Sequence, residues 1–577
     1  MLSFFACSDH EGTNLMNESP ESGRESVESI SPVPQAARPR PVLVVGAGPV
    51  GLTVTAELLR RGVDVRLVDR AEAASPRSKA LLVWPRTLDV LRGLGGGPAI
   101  EQRGLPVESF RYYSSARRIA RIGFDRRTTP VVLPQPEVEA LLAQAVARAG
   151  GSVDRGTTVV DLAQQQSGVT VGLAHGGVVT HEEFSYVVGC DGASSTVRDA
   201  LGLAFDGATH PLTFMLVDAR VEGKLQLDAV HYYCSPRGVL VMIALPSGRF
   251  RVFTSAPPGL TAEDATLELL QQLVDQRGPG GLRLYDADWS STFSVHTRHA
   301  ERFRTGRVFL AGDAAHIHSP AGGQGLNTGV TDAHNLSWKL ALAWHGQAGE
   351  ALLDSYESER REVAGAVVRQ ADLQTRAWLI AKPWQVALRD LATLAASTTR
   401  LFNRDYVPWL TGLRTTYQSG ALVADGARRS WRHAERRFTT GALLPSRLVA
   451  DAGTVGGGLH HTLLVVPQRQ RDTAVPATAL LPAASAAVEG DLLRLRTLDR
   501  QGRPGPERSG RDAVDALRAV PAGSLLVLVR PDGHIAAMGR PGAATDLATY
   551  LGRHLQLCPS ARVAAAAAER EPLRQPQ

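Results

Sequence analysis

The sequence predicts an α/β protein: a mostly parallel sheet of Rossmann-like βαβ units, interrupted by an antiparallel insert and followed by a separate C-terminal third. Three observations predict it. From Pro41 to about residue 205, short Val/Leu-rich runs alternate with helical stretches, the pattern of βαβ units. Between about 210 and 295 the texture changes: the runs Val239–Leu245 and Phe250–Phe253 flank Pro246-Ser247-Gly248, which reads as a hairpin turn. The run Arg307–Ala311 then returns to the α/β style and leads into a long helical region reaching about residue 420.

The remaining segments follow from local composition. Residues 1–38 are rich in Ser, Glu and Pro without apolar periodicity and read as a disordered leader, with Met16 an alternative start. In the last third, His461–Val466 reads as a strand, and Leu525–Val529 and His534–Met538 bracket a Pro531-Asp532-Gly533 turn as a second hairpin. The Ala-rich, charged end is expected to fray.

With 577 residues and about 150 per domain, two to four domains are expected. The net charge of +6 comes almost wholly from scattered arginines, since only Lys79, Lys224, Lys339 and Lys382 are lysines. No basic tract or aromatic ladder accompanies them, which argues against nucleic acid. Four widely spaced cysteines without a C-x-x-C argue against a disulfide framework and a structural zinc site. The uncharged stretch Ala474–Val488 contains Pro476 and Pro482 and is too short to span a bilayer. A soluble cytoplasmic protein, without membrane or nucleic-acid partner, is expected.

Three motifs carry the chemistry. In the first, the apolar run Val42–Val45 enters Gly46-Ala47-Gly48-Pro49-Val50-Gly51, a helical stretch to Arg61 leaves it, and a second strand ends at Asp69. Gly46 permits the tight turn, Gly48 lets backbone approach a pyrophosphate, and Gly51 lets helix and strand pack closely. The helix N-terminus faces the phosphate charge. Asp69 is placed to accept hydrogen bonds from a ribose. Together these features specify a dinucleotide site.

The second motif, Tyr186–Arg198, is a strand ending in Asp191-Gly192 and a Ser/Thr-rich turn. Taken alone it is also a simple strand-to-helix turn with Ser194 or Ser195 as N-cap. The third runs from Arg307 through Gly312-Asp313-Ala314-Ala315-His316 to Gly322-Gly323-Gln324-Gly325-Leu326-Asn327. Leu326, Val330, Ala333, Leu336, Leu340 and Ala341 recur at helical spacing, predicting a helix buried on one face. Its N-terminus offers unpaired N–H groups and positive dipole charge, which suits the N1 edge of a reduced flavin. Asp313 is placed to accept from a polyol such as ribitol.

In this order, the motifs resemble those of class A FAD-dependent aromatic hydroxylases with the para-hydroxybenzoate hydroxylase fold. Arg307–Leu340 and Leu353–Arg361 are similar to the phenol hydroxylase-like branch that includes polyketide-tailoring monooxygenases. The resemblance implies an FAD-binding domain in two parts (39–210 and 298–425, the latter with a helical region), an antiparallel substrate-binding domain (211–297), a thioredoxin-like domain without a dithiol (426–562) and a flexible tail (563–577). It implies that Gly46, Gly48, Val50 and Gly51 hold the FAD pyrophosphate, and Asp69 with Arg70 the adenosine ribose. Asp69 stands where a Glu is more usual, and Lys79 where an Arg is usual for flavin or nicotinamide contact. Gln135 matches a glutamine near the flavin, and Asp191 is implicated in FAD and NAD(P)H handling. Asp313 would bind ribitol, and Leu326 with Asn327 would approach the isoalloxazine. Trp84 stands where relatives often carry a smaller or imidazole side chain.

The resemblance further implies NAD(P)H as co-substrate without a Rossmann domain of its own, O2, and a C4a-hydroperoxyflavin that hydroxylates a small aromatic or phenolic substrate. Attack on a phenolate calls for a proton acceptor. His296, His318 and His316 are the candidates, and each is equally a structural histidine. A His316/His318 metal pair lacks further ligands. Tyr232, Met242 and Phe253 are candidates for the substrate face of the insert. Baeyer–Villiger oxidation, antibiotic inactivation and a non-catalytic flavin-binding regulator stay open as alternatives, as does a homodimer.

Overall fold

The computed structural model describes residues 39–555, apart from 115–116, 258–265, 400, 418–429, 434–435, 445–457, 468–479, 500–504, 522–523 and 542–544. The expected leader with Met16, and the tail 563–577, lie outside the described residues.

Strand β1 (Val42–Val45) has all four residues buried, as a strand covered on both faces must, and helix α1 (Pro49–Leu59) starts with its proline where no N–H is needed. It returns to β2 (Val65–Asp69), paired parallel with β1. A short β3 (Leu82–Val83) leads into α2 (Pro85–Gly93). The hairpin β4 (Ser109–Ser114) and β5 (Arg117–Gly123) precedes α3 (Gln135–Arg148) and β6 (Asp154–Arg155). Strand β7 (Tyr186–Gly189) and the short α4 (Thr196–Ala200) complete this part.

The insert contributes β8 (Phe205–Glu222), β9 (Ala229–Ser235), β10 (Gly238–Ala244), β11 (Phe250–Ser255), helix α5 (Leu267–Arg277) and β12 (Arg283–Ala300). The expected hairpin is present, β10 pairing antiparallel with β11. The chain then forms β13 (Arg304–Thr305), β14 (Val308–Leu310), β15 (His316–Ile317), α6 (Gly325–Trp344) and α7 (Glu350–Trp378).

Two large sheets result. One has the order β13-β14-β7-β1-β2-β6, parallel except at β13; the other has the order β15-β12-β8-β11-β10-β9-β4-β5. The second sheet therefore recruits β4 and β5 from ahead of the insert, because β4 pairs in parallel with β9. That pairing joins segments more than 100 residues apart and leaves no local sequence signal.

The last third forms β16 (His461–Val466), α8 (Leu481–Glu489), β17 (Leu493–Thr497), α9 (Gly510–Arg518), β18 (Leu525–Val529), β19 (Ile535–Gly539) and α10 (Thr545–His554). Its sheet order is β17-β16-β18-β19, with β16 parallel to β17 and antiparallel to β18. The core of this unit is continuous with α6 and α7 through Trp338, Leu342 and Leu352.

Helix α6 departs from its sequence pattern. One buried face is expected, yet every residue of Asn327–Leu342 except the half-buried Thr331 is buried, including Asp332, His334, Asn335 and Lys339. Helix α1 and the parallel sheet cover one side while α7 and the C-terminal unit cover the other.

Candidate cofactor-binding and active site

Strands β14, β7, β1 and β2 are neighbours and run parallel, so their carboxyl ends present Gly312-Asp313, Asp191, Gly46 and Asp69 along one edge. That edge is where open α/β sheets bind ligands. Gly46 has φ +99°, and a Cβ there would lie 2.5 Å from the Cys190 carbonyl oxygen. A Cβ on Gly51 would lie 1.8 Å from the Gly46 oxygen, so neither position accepts a side chain. At Gly48 a Cβ would meet nothing within 4 Å: it would project into open space at the N-terminus of α1. Val50 instead packs inward, and hypothetical Cβ atoms on Gly312 and Gly329 would come within 2.7 and 2.6 Å of its Cγ2. This contact brings the glycine loop, the Gly312 turn and the first turns of α6 together.

Asp69 closes the glycine loop from the second strand. Its Oδ2 accepts from the Ala47 N–H at 2.6 Å and its Oδ1 from the Ala71 N–H at 2.8 Å. Arg70 is exposed. Asp191 accepts from Ser195 Oγ (2.6 Å), Thr196 Oγ1 (3.0 Å) and the Val197 N–H (3.2 Å), while Ser195 caps α4 by accepting from the Arg198 N–H at 3.0 Å. The geometry of this motif is thus the capped strand-to-helix turn.

Gln135 accepts from the Ala80 N–H at 3.2 Å and donates to Glu139 at 2.8 Å, tying the segment that carries Lys79 to the start of α3. Lys79 is exposed. Asp313 makes no hydrogen bond or ion pair with the described residues. Its side chain is open to solvent, and the surrounding protein raises its pKa by displacing water, against the opposing influence of His316 and Lys79.

At the start of α6, Thr328 N–H is the first to find a helical acceptor, on Gln324, leaving the earlier N–H groups for a ligand or water. Leu326 is half-buried against the parallel-sheet core. The Asn327 side chain is fully used inside the protein: it donates to the Leu82 and Gly323 carbonyls at 2.8 and 2.7 Å and accepts from the Trp84 N–H at 2.8 Å. Only its backbone N–H is left to face a flavin.

The three histidines differ. His316 is buried, stacks on Phe303 and shares a 2.7 Å hydrogen bond with Asp332. His318 donates from Nδ1 to the Ser319 carbonyl at 2.7 Å; burial pushes its pKa down to about 4, and its buried Nε2 has no partner. His296 lies on β12 with Nδ1 3.0 Å from Thr209 Oγ1. Among the described residues no group of three or more His, Cys, Asp or Glu is arranged to hold a metal ion, and no described helix is long and apolar enough to cross a membrane.

The inner face of the eight-stranded sheet carries Tyr112 stacked on Tyr232 (4.7 Å) and Phe214 stacked on Phe253 (4.6 Å). Tyr232 and Phe253 share this face with Trp84 and Phe110, whereas Met242 lies on the opposite face. It follows Val241, the partner of Tyr232, so strand alternation turns it to the outer face under α5. Trp84 packs edge-on against Phe110 and Phe124 and donates from Nε1 to the Gly322 carbonyl at 3.0 Å. Along Trp84 runs a cavity of about 570 Å3 whose walls include Trp409, Arg86, Thr87 and Ala366. It touches the start of α6 through Gln324, Asn327 and Thr328, but none of the residues from Gly46 to Gly51, nor Asp313, lines it.

A buried ionic network beside this site has no local signature in the sequence. Glu359 meets Arg530 (2.5 and 3.0 Å), Lys339 (2.8 Å) and Asn335 (2.8 Å), and Asn335 also reaches Asp532 (3.2 Å). Asp332 pairs with Arg360 at 2.6 Å. Charged residues on helices α6 and α7 read as solvated faces until the C-terminal unit is known to cover them.

A glycine cradle open only at Gly48, an unpartnered carboxylate two strands away and a second free helix N-terminus together define a nucleotide-cofactor site of flavoprotein type, and these residues fit FAD. The chain belongs to the FAD binding domain family, which it matches over residues 40–371. It is 33% identical over 546 residues to 6-methylpretetramide 4-monooxygenase of Streptomyces rimosus, covering 90% of this chain and 94% of that protein. The flavin-dependent monooxygenase PieE, solved with FAD and substrate, superposes with a TM-score of 0.72 at 27% identity, over 90% of this chain and all (100%) of that one. The anhydrotetracycline hydroxylase OxyS of Streptomyces rimosus gives 0.65 at 28% identity, over 89% and 99%. The chain is an FAD-dependent monooxygenase of the aromatic-hydroxylase, polyketide-tailoring type.

Proposed function

We propose that the protein hydroxylates an electron-rich aromatic ring of a polyketide or related phenolic metabolite, using NAD(P)H and O2. The observation that carries this reading is Asp313: a solvent-open carboxylate without a partner among the described residues, on the same sheet edge as the open Gly48 cradle. When bound, FAD takes hydride from NAD(P)H and supplies electrophilic oxygen with O2.

The chain's own residues do the rest. Gly46, Gly48, Val50 and Gly51 hold the pyrophosphate against the N-terminus of α1, and Asp69 with Arg70 lies at the adenosine ribose. Asp313 accepts from the ribitol hydroxyls, with Lys79 across the groove and Gln135 and Asp191 fixing its walls. The free N–H groups of Leu326 and Asn327 face the polar edge of the flavin ring. The aromatic inner face of the sheet excludes water from the reacting ring.

His318 holds its proton on Nδ1, and its buried Nε2 has no partner among the described residues. With its pKa at about 4 it is neutral near pH 7 and does not keep the phenolic proton. His296 is too engaged with Thr209 at the sheet surface to be the first choice of base. The cavity beside Trp84 is within the range of about 300–1,000 Å3 typical of ligand sites, and its indole, guanidinium and hydroxyl lining suits a flat, oxygen-rich molecule.

The boundaries 39–210, 211–297, 298–425 and 426–562 serve as the working domains. The β16-α8-β17-α9-β18-β19-α10 order of the last supports a thioredoxin-like unit. Its only cysteine is Cys558, so packing rather than redox chemistry is its role.

Purified protein is expected to carry FAD, to oxidise NADPH faster when phenols or polycyclic quinones are added, and to yield a product one oxygen heavier. Asp313→Ala should lose most of the flavin. Colourless protein without extractable FAD, or flavin-loaded protein whose NADPH oxidation ignores every aromatic tested, would overturn the proposal.

A further inference from the structure

The Gly312 turn that presents Asp313 has no slack. Gly312 has φ +61°, a conformation that favours glycine, and it lies against Val50 on one side and against Gly329 of α6 on the other. Its N–H is held by Asp332 Oδ2 at 3.1 Å, and the same oxygen lies 2.7 Å from His316 Nε2, four residues further along the turn. The other carboxylate oxygen accepts from Arg360 Nε at 2.6 Å. Arg360 is held in turn by the Thr328 carbonyl (3.3 Å), Thr331 Oγ1 (2.9 Å) and the Tyr417 hydroxyl (3.3 Å). Asp332 is completely buried and touches no groove, so it is not itself a ligand for a cofactor.

We propose that Asp332, clamped by Arg360 and gripping both ends of the Gly312–His316 turn, is a positioning residue that fixes the Asp313 carboxylate for the polyol of FAD. The inference rests on the reading of Asp313 given above. It explains why a charge is kept in the interior of α6 at all. Burial opposes that charge, yet Arg360 and His316 hold the Asp332 carboxyl below the ordinary carboxylate range. A neutral side chain would pack there at lower desolvation cost, but it could not grip an N–H, an imidazole and a guanidinium at once.

The test is a double-mutant cycle read as the FAD dissociation constant, measured by titrating apoprotein and following flavin fluorescence quenching. Asp313→Ala and Asp332→Asn are each expected to weaken FAD at least tenfold, the scale of one charged hydrogen bond. Because Asp332 acts through Asp313, the double variant should be no weaker than about twofold below Asp313→Ala alone. Should Asp332→Asn fold poorly, the pair Asp332→Leu with Arg360→Met removes both buried charges together and keeps the experiment readable by the same cycle. Two penalties that multiply would mean a general structural role and would overturn the proposal, as would wild-type affinity in the Asp332 variants. Wild-type affinity in Asp313→Ala alone would overturn the reading of Asp313 itself, and the proposal with it.

Discussion

The sharpest energetic consequence of the structure is an asymmetry inside one buried pair, Lys339–Glu359. The two side chains meet at 2.8 Å with no exposure, yet the network treats them differently. Burial lowers the Lys339 pKa to about 8 despite the opposing influence of Glu359, whereas Glu359 is held at about 2, its burial more than offset by Arg530 and Lys339. The cause lies in the contacts: Glu359 faces two cations, Arg530 and Lys339, and the Asn335 amide, whereas Lys339 faces the single carboxylate of Glu359 with Arg530 nearby opposing its charge. Lys339→Met removes a charge that opposes folding and leaves Glu359 with Arg530; near-unchanged stability, within about 1 kcal/mol, is expected. Glu359→Gln strands two buried cations and is expected to cost about 3–5 kcal/mol. Urea midpoints of the two variants, measured side by side in holoprotein at pH 7.5, decide the matter. Equal losses would refute the reasoning, because they would show that the pair acts as a symmetric salt bridge.

Three further outcomes follow from the same geometry. Gly48→Ala should leave apoprotein stability unchanged but weaken FAD binding, whereas Gly51→Ala, with its Cβ driven onto the Gly46 carbonyl, should lower the apoprotein melting temperature as well; normal FAD affinity in Gly48→Ala would remove the pyrophosphate assignment. Met242→Ala should cost about 2–4 kcal/mol in denaturant unfolding without altering the KM for an aromatic substrate, and Phe253→Ala on the inner face should raise that KM; the reverse pattern would contradict the assignment of faces. Burial holds the pKa values of His318, His461 and His534 at about 4, 3 and 4, so these histidines are neutral in the folded chain. The unfolded chain protonates them below the ordinary 6.5, so stability is complete above that pH and falls as pH drops toward 4, by about 1 kcal/mol per histidine at pH 5.5. A urea midpoint that stays flat from pH 7.5 to 5 would rule this out.

Much of the site was legible because its signals are local. Val42–Gly51 announces a strand, a turn and a helix start within ten residues, and only glycine fits at Gly46 and Gly51. The hairpins around Pro246-Ser247-Gly248 and Pro531-Asp532-Gly533 are equally local, as is the Ser195 cap. That Met242 faces away from Tyr232 and Phe253 was not legible, because a fully apolar strand does not say which of its two faces is which. The partners of the Asn327 amide, the Leu82 carbonyl and the Trp84 N–H, lie more than 240 residues away and left no local signal.

From the chain's order of residues alone came the three strand-end motifs, the cofactor they suit and the family they resemble, since each is written in contiguous backbone geometry. Tertiary structure decided which polar side chains are buried together: Asp332 with Arg360 and His316, and Glu359 with Lys339 and Arg530. The physical reason is that a charge on a helix is stable facing either water or a buried counter-charge. Only the packing of the C-terminal unit against α6 and α7 shows which of the two it meets.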